Sequence, residues 1–471
     1  MIEGVDRNTV IVDGTKPGAP SPCDSDPRFQ NFGPVIQRTN GAARNGRNGI
    51  VIDHASGVTV ENLTVCNFVG ISREDEFGNE LWFDGGAGTG KTGLGHYRVA
   101  DVTATSTYIP MAPIAQQAPP PVPMVARTGV LISNAAGPGR AIHSFASNIA
   151  DAGFHIAGCP DCNAMFDHDT AKHNVIGLSA TDAGGRLLLE HSLLVHNGDG
   201  VNLASENNED APPPQDGACP SGVAGPEPIA PGICTVIEHN TIGANNNTDV
   251  SPDTVEEPEG FLGVGIDISG GQPDLVFKNH VSDQGSYSIL TTVYVNALTT
   301  GRPGPRFPNA DCQAGRFLLP GACFFNASGN LIADNALGHD GTFANPTSGD
   351  LADATVADTA SNCYRGNTHR SGRPTTAPHG LQAGQACAAR RGATLVGVLG
   401  VQVACAARAF GGCHWGTGNA VLSSLATLSH LLHIPFDAST VRNTRAIYPS
   451  PGRYVAPRPA SQPSLHPMTR P

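Results

Sequence analysis

The sequence predicts an all-β solenoid, a single-stranded parallel β-helix. Three observations carry that expectation. First, residues 165–178 (MFDHDTAKHNVIGL) recur 23 residues later as 188–201 (LLEHSLLVHNGDGV). The overlay sets Asp167 over Glu190, His168 over His191, His173 over His196, Asn174 over Asn197 and Gly177 over Gly200. Internal repeats of this size signal stacked units. Second, the composition is turn-rich: 57 Gly and 38 Pro exceed a fifth of the 471 residues, with 15% charged and 39% hydrophobic. Many short strands joined by turns fit this; long helices do not. Third, the period selects the type of solenoid. Leucine-rich repeats need Leu at fixed steps in every unit, and only residues 187–194 supply it. Helical repeats need unbroken stretches of about ten residues, and Gly with Asn interrupts every segment. A parallel β-helix coil needs about three strands of four or five residues plus three bends, which matches the period.

In chain order, residues 8–13 read as a first strand, and a loop carrying Cys23 follows at 16–48. Gly49-Ile50-Val51-Ile52 and Gly57-Val58-Thr59-Val60 read as short strands opened by glycine, and Glu61-Asn62 closes the second. Residues 69–128 read as an inserted loop. Within it, residues 85–92 (GGAGTGKT) match the phosphate-binding loop pattern. That pattern works between a buried strand and a helix N-terminus. A strand-like run at 97–105 follows instead of a helix, so the stretch reads as a glycine-rich connection. A proline-rich loop spans 110–123. From Gly129 the repeat is regular, with Gly129, Gly153, Gly177 and Gly200 opening strands 24, 24 and 23 residues apart. Two acidic loops interrupt it, at 205–232 and 245–261. Residues 236–245 (VIEHNTIGAN) repeat LLEHSLLVHN at an offset of 48. Further units are read at 265–268, 275–281, 288–295 and 324–335. The helix is expected over 1–360. Residues 361–445 are expected to be a weakly structured C-terminal region with a short helix at 421–432. Residues 446–471, rich in Pro and without acid, are expected to form a disordered tail.

On these residues the chain resembles the right-handed parallel β-helix family, the pectin lyase-like fold. Its pattern of strand, Glu-Asn-Asn, strand, Asn-x-x-Gly-Ile is met by Val60-Glu61-Asn62, Leu189-Glu190-His191, Asn197-Gly198-Asp199-Gly200-Val201 and Ile237-Glu238-His239-Asn240. The match runs over residues 5–335. The chain is most similar to secreted bacterial members without an assigned activity. The resemblance implies apolar side chains stacked inside the coil, an extracellular or cell-surface setting, and a polysaccharide or surface glycan as partner. Two functions are carried forward. One is a carbohydrate-active enzyme of lyase, epimerase or hydrolase type. The other is a non-catalytic, adhesin-like protein that presents its loops to a glycan.

The candidate catalytic residues are acids followed by histidines: Asp167-His168-Asp169, Glu190-His191 and Glu238-His239. Stacked coils set the carboxylates in one row and the imidazoles in the next. Such groups suit proton transfer on a uronic acid sugar, a base removing the C5 proton while an acid assists the leaving group. Alginate epimerases of the resembled fold carry Asp-Pro-His-Asp, and the proline is missing here. A structural alternative places Asn62, His168, His191, His239 and Asn279 in one inward ladder, where imidazole replaces the Asn amide. The same ladder is expected of Asn174, Asn197 and Asn245. Alternation then sends Asp167, Glu190 and Glu238 to the opposite, solvent side. The polygalacturonase and pectate lyase patterns are incomplete: Arg-x-Lys is absent, and Arg98, Arg140 and Arg186 are the arginines near the strands.

Charge and cysteines bound the partners. A formal charge of -13 with four lysines argues against nucleic acid or an anionic membrane. The longest apolar run, 393–407, is too short to span a bilayer. Twelve cysteines read as a disulfide set from an oxidising compartment. Cys219 with Cys234, Cys312 with Cys323, and Cys405 with Cys413 bracket Pro/Gly loops. Cys159-x-x-Cys162 with His168 and His173 offers zinc-type ligands, but the short spacing favours a local disulfide. Glu206, Glu209 and Asp210 are candidate calcium ligands in the first acidic loop, with a solvated loop as the alternative. No charged start or apolar leader precedes residue 8, so an exported protein would have an internal or processed start here. A monomer is expected.

Overall fold

The computed structural model describes residues 1–382, apart from 39–40, 71–76, 87–93, 109–123, 160–161, 184–186, 205–234, 248–259, 272, 298–315, 320–321, 344–346 and 356–361. Among the described residues the one helical element is a 3-10 turn, Pro27–Phe29. Three sheets form the body. Sheet 1 runs from Ile2–Glu3 to Cys363–Arg365 and sheet 2 from Ile11–Asp13 to Thr368–His369, with ten strands each. Sheet 3 runs from Ile50–Asp53 to Thr376–Ala377. Neighbours within a sheet are one coil apart, and these pairings are parallel. The chain is a right-handed parallel β-helix, the hand that parallel crossovers take. One antiparallel extension breaks the pattern. Tyr287–Ala297 runs past its coil to pair with Ala322–Asn326, which pairs with Arg316–Leu319.

One coil shows why this sequence folds so. Ala164–Asp167 lies in sheet 1, Thr170–Lys172 in sheet 2 and Ile176–Ala183 in sheet 3. The next coil repeats it with Phe166 on Leu189, Ala171 on Leu194 and Leu178 on Val201. These residues point inward, are buried, and belong to one apolar cluster reaching from Ile52 to Tyr364. Each large aliphatic or aromatic side chain so buried contributes about 1.5–3 kcal/mol.

A two-residue bend joins sheet 1 to sheet 2 in this coil, and a three-residue bend joins sheet 2 to sheet 3. The first residue is left-handed, as at His168 (φ 56) and His173 (φ 60). The second points into the lumen. On the second bend, Asn174 donates from its backbone N and from Nδ2 to Asn197 Oδ1, each at 3.0 Å. Asn197 does the same to Asn245 Oδ1, again at 3.0 Å, and its Nδ2 also reaches Ala171 O at 3.1 Å. The ladder expected for Asn174, Asn197 and Asn245 is therefore present. The glycine column makes room for it. A Cβ on Gly177 would meet Gly200 O at 2.5 Å and Asn197 Nδ2 at 3.0 Å.

Two boundaries differ from expectation. Residues 69–128 are not simply an inserted loop. Asn79–Asp84, Tyr97–Ala100 and Thr103–Thr105 stack in sheets 3, 1 and 2. Leu81, Phe83, Tyr97 and Val99 are buried core residues, but long connections separate these strands and break the 23-residue period. The helix also continues past residue 360 through Cys363–Arg365, Thr368–His369 and Thr376–Ala377, and the first-bend ladder ends on Gln382. The proline-rich loop, the region 383–445 with its expected helix, and the tail lie outside the described residues. So does 87–92 of the glycine-rich motif.

Asn197→Ala should destabilise the protein by at least about 2 kcal/mol, because it strands buried donors on Asn174. His196→Asn, exposed and next in sequence, keeps the left-handed corner and should change stability by under about 0.5 kcal/mol. Urea unfolding of the two variants checks this; equal effects would disprove the ladder's role.

Candidate functional site: an acid–imidazole ridge

The first bend carries the acid–histidine residues. Along Ala164–Asp167, Leu187–Glu190 and Thr235–Glu238, alternation turns Phe166, Leu189 and Ile237 inward and Asp167, Glu190 and Glu238 outward. The register stacks Asp167 on Glu190 on Glu238. The next residue in each coil does not turn inward. His168, His191 and His239 have φ of 56, 49 and 56°. A left-handed residue between extended neighbours makes a corner and breaks the alternation, and His is among the residues enriched there. The imidazoles stay outside, with side chains 53, 47 and 40% exposed.

This corrects the expected histidine ladder. The lumen ladder begins one residue later, where Asp169 N donates to Ser192 Oγ and Ser192 N to Asn240 Oδ1. Asn279 belongs to that inner column, and its left-handed neighbour Lys278 belongs to the outer one. Asp169 also leaves the candidate group. It is buried, accepts from Ser144 N at 2.8 Å, and burial holds its carboxyl well above the ordinary range.

What remains is a continuous ridge. The rings of His168 and His191 stack at 5.0 Å and 25°, and those of His191 and His239 at 5.7 Å and 19°. His143 packs edge-on at 5.3 Å from His168. Asp167 Oδ1 lies 2.6 Å from His168 Nδ1 and 3.2 Å from His191 Nδ1. Glu190 Oε2 is 3.7 Å from His191 Nδ1, and Glu238 Oε2 is 3.6 Å from His239 Nδ1. Burial, then the charge of Asp167, raises the Glu190 carboxyl, while His191 draws it down. Basic groups flank the row: Arg98 pairs with Glu61, and Lys278 Nζ sits 4.5 Å over the Phe277 ring. The second bend has its own stacked pair, His173 and His196, at 5.7 Å. Burial and then the charge of Lys172 are among the causes holding both imidazoles low.

The zinc alternative fails on its sulfurs. Cys159 and Cys162 are joined in a disulfide, so neither is a thiolate ligand for His168 or His173. A second disulfide, Cys23–Cys66, ties the first long loop to sheet 2. Glu206, Glu209, Asp210, Cys219, Cys234, Cys312, Cys405 and Cys413 lie outside the described residues. Cys323 sits on the strand Ala322–Asn326.

A second polar group was not singled out from the sequence. On the outer face of sheet 3, His155, Ser179, Asn202 and Asp267 stack in register. Asn202 Nδ2 and Ser269 Oγ donate to Asp267 Oδ2 at 2.8 and 3.0 Å, and Asp199 Oδ2 accepts from Phe261 N at 2.6 Å. Burial raises both Asp199 and Asp267, and the charge of Asp267 raises Asp199 further. Every member is at most 3% exposed, so the group fastens residues 260–262 rather than meeting a substrate. Asp199 within Asn197-Gly198-Asp199-Gly200 was its one sequence signal.

No protein-family model matches the chain, and no curated protein is similar to it. Solved structures are. The tailspike protein of E. coli bacteriophage HK620, in complex with a pentasaccharide, matches at 13% identity over 69% of this chain and 44% of its own, with a TM-score of 0.35. The A-module of the Azotobacter vinelandii mannuronan C-5 epimerase matches at 11% identity over 70% of this chain and 75% of its own, TM-score 0.25. Tailspike protein 3 of bacteriophage CBA120 matches at 9% identity over 72% of this chain and 48% of its own, TM-score 0.25. The chain spans less than half the length of either tailspike. Identities of this size speak to fold alone. Among the described residues no helix is long and apolar enough to cross a membrane.

The buried acids set a pH dependence. Burial pushes Asp274 up to about 7, against about 4 in an unfolded chain. Between those values the folded protein holds a proton that the unfolded chain releases, so stability falls as pH rises from about 4 to about 7. Asp199 and Asp267 act in the same direction. The melting temperature should be higher at pH 5 than at pH 8, and Asp274→Asn should remove part of that difference, up to about 1.4 kcal/mol per pH unit crossed. A higher melting temperature at pH 8 would contradict the elevation.

Proposed function

We propose that the chain binds and processes a polysaccharide, as an extracellular or cell-surface enzyme of lyase, epimerase or hydrolase type, along the acid–imidazole ridge. One observation carries this. Three carboxylate–imidazole pairs, Asp167–His168, Glu190–His191 and Glu238–His239, line one side of adjacent coils, with the three rings and the Asp167 and Glu190 carboxylates open to a polymer and Glu238 buried beneath His239. A carboxylate beside an imidazole orients the ring and supports its role as a base, and a carboxyl one coil away can serve as the acid. Exposed ring nitrogens and carboxylates can exchange hydrogen bonds with sugar hydroxyls. A bound pentasaccharide and mannuronan are named for proteins of like fold; the ridge is this chain's own support. A second reading, glycan binding without catalysis, is favoured by the pairs recurring in three coils, as in a track for a repeating ligand.

Incubation with alginate, pectate and glycosaminoglycans, followed by chromatography of the products, tests the first reading. Cleaved, unsaturated or epimerised product is expected, and His191→Asn and His239→Asn should reduce its formation by about 10²–10⁴ if the ring is the base. Melting should be nearly unchanged, since Asn keeps the left-handed corner. Retention on the glycan without product would support the second reading. Neither product nor retention would end both.

A further inference from the structure

We propose that Asp167, His168 and His191 form a binding site for one divalent transition ion of the zinc, copper or nickel class. The inference goes beyond the polysaccharide reading, because an ion is held or not held whatever the ridge acts upon. The three residues present Asp167 Oδ1 and one ring nitrogen each from His168 and His191, all within 4.8 Å of one another. Both rings turn Nδ1 toward the same oxygen, at 2.6 and 3.2 Å. Ligand atoms around a tetrahedral ion lie about 3.3–3.6 Å apart, given bonds of about 2.0–2.2 Å. The His191 distance is within tenths of an ångström of that spacing. The His168 distance opens to it by a small rotation of an exposed side chain.

The donors choose the ion. Two imidazoles and a carboxylate suit zinc, copper and nickel. Calcium wants six to eight oxygens, which this group does not offer. An imidazole that ligates through Nδ1 keeps its proton on Nε2, so both rings bind while neutral. Three protein ligands on an exposed face leave a position open for water or a substrate oxygen. The backbone fixes the arrangement beforehand. Left-handed corners in adjacent coils hold the two rings stacked at 5.0 Å, the closest spacing in the column. The local charge also favours a dication, since Glu190 and Glu238 stack beside Asp167. The other group of equal closeness among the described residues, Asp13 with Cys23 and Cys66, is disqualified because its sulfurs are joined.

The experiment uses the full chain stripped with a chelator. Zinc is titrated in competition with a chromogenic chelator, and cobalt is added separately to read its visible absorption. The wild-type chain should take up one more equivalent of zinc than the His168→Asn/His191→Asn double variant. The cobalt band should be lost in that variant. Asp167→Asn should weaken zinc by at least about tenfold, and calcium in excess should not displace it. Asparagine retains the corners, and metal-free melting curves establish that the variants fold. Should the double variant not fold, Asp167→Asn alone decides. Zinc uptake and a cobalt spectrum that are the same in wild type and variants would overturn the site. Because the readout is the metal alone, that outcome leaves glycan processing to its own assay.

Discussion

The bend that opens on a left-handed residue is the constraint on which the rest of this structure depends. Its first residue takes the left-handed conformation and its second turns into the lumen. Left-handed backbone is unfavourable by about 1–2 kcal/mol for most side chains, so the position favours Asn, Asp, His or Gly, with Ala244 and Lys278 as exceptions. The inner residue must then satisfy buried donors and acceptors. An amide that bonds to its copies above and below does this without water. Asn197 uses both ends of its side chain in that way. The bend thus fixes two columns at once, an inner one chosen for hydrogen bonding and an outer one chosen for backbone tolerance.

The ridge follows from the outer column. Once histidine is accepted at the corner in successive coils, stacking brings its rings to 5.0–5.7 Å without further design. The strand residue before each corner points outward by alternation, so an acid there lands beside a ring. Three carboxylates at coil spacing repel one another by about 1–3 kcal/mol per neighbouring pair, depending on how well water screens them. Imidazoles within 2.6–3.7 Å offset that repulsion. A purely structural surface would avoid it with Ser, Thr or an alternating charge. In the flanking coils the column carries no charge at this position: Ala100 and Ile142 occupy it in earlier coils, and Phe277 in a later one.

The 23-residue overlay of Asp167 on Glu190 and Gly177 on Gly200 was readable because both coils are free of insertions. The inner amides Asn174, Asn197 and Asn245 were readable because amides recur there with few exceptions. The histidines were misplaced for a physical reason. A period-2 count assumes extended backbone throughout, and one left-handed residue shifts every later residue by one face. His168 was counted as inward, and Asp169, the true inward residue, was counted with the catalytic acids. The strand Asn79–Asp84 was missed, and 97–105 was read as a strand without a place in the coil, because long connections break the period there. The group of His155, Asn202 and Asp267 was invisible because polar outward residues on a strand look solvated until something covers them.

A solenoid built this way ties site to register more tightly than a globular core does. Asp167 meets His191 across coils, not within one, so the pairing measures the number of residues between them. One residue inserted between Lys172 and Leu189 would leave each coil locally acceptable. It would also set a ladder amide against the wrong column and carry His191 away from Asp167. The hydrogen bonds of the lumen oppose such a slip, at about 1–3 kcal/mol for each buried group left unsatisfied. The buried ladder therefore protects the spacing of the exposed ridge, although no side chain of one touches the chemistry of the other. Loops that enter between coils, such as the long segment between Ala204 and Thr235, leave the stacking of Glu190 on Glu238 intact because the ladder closes again on the far side. Long connections enter between sheets 3 and 1 and between sheets 2 and 3, whereas from Thr59–Glu61 onward each described first bend, where the ridge is made, holds two residues between its strands.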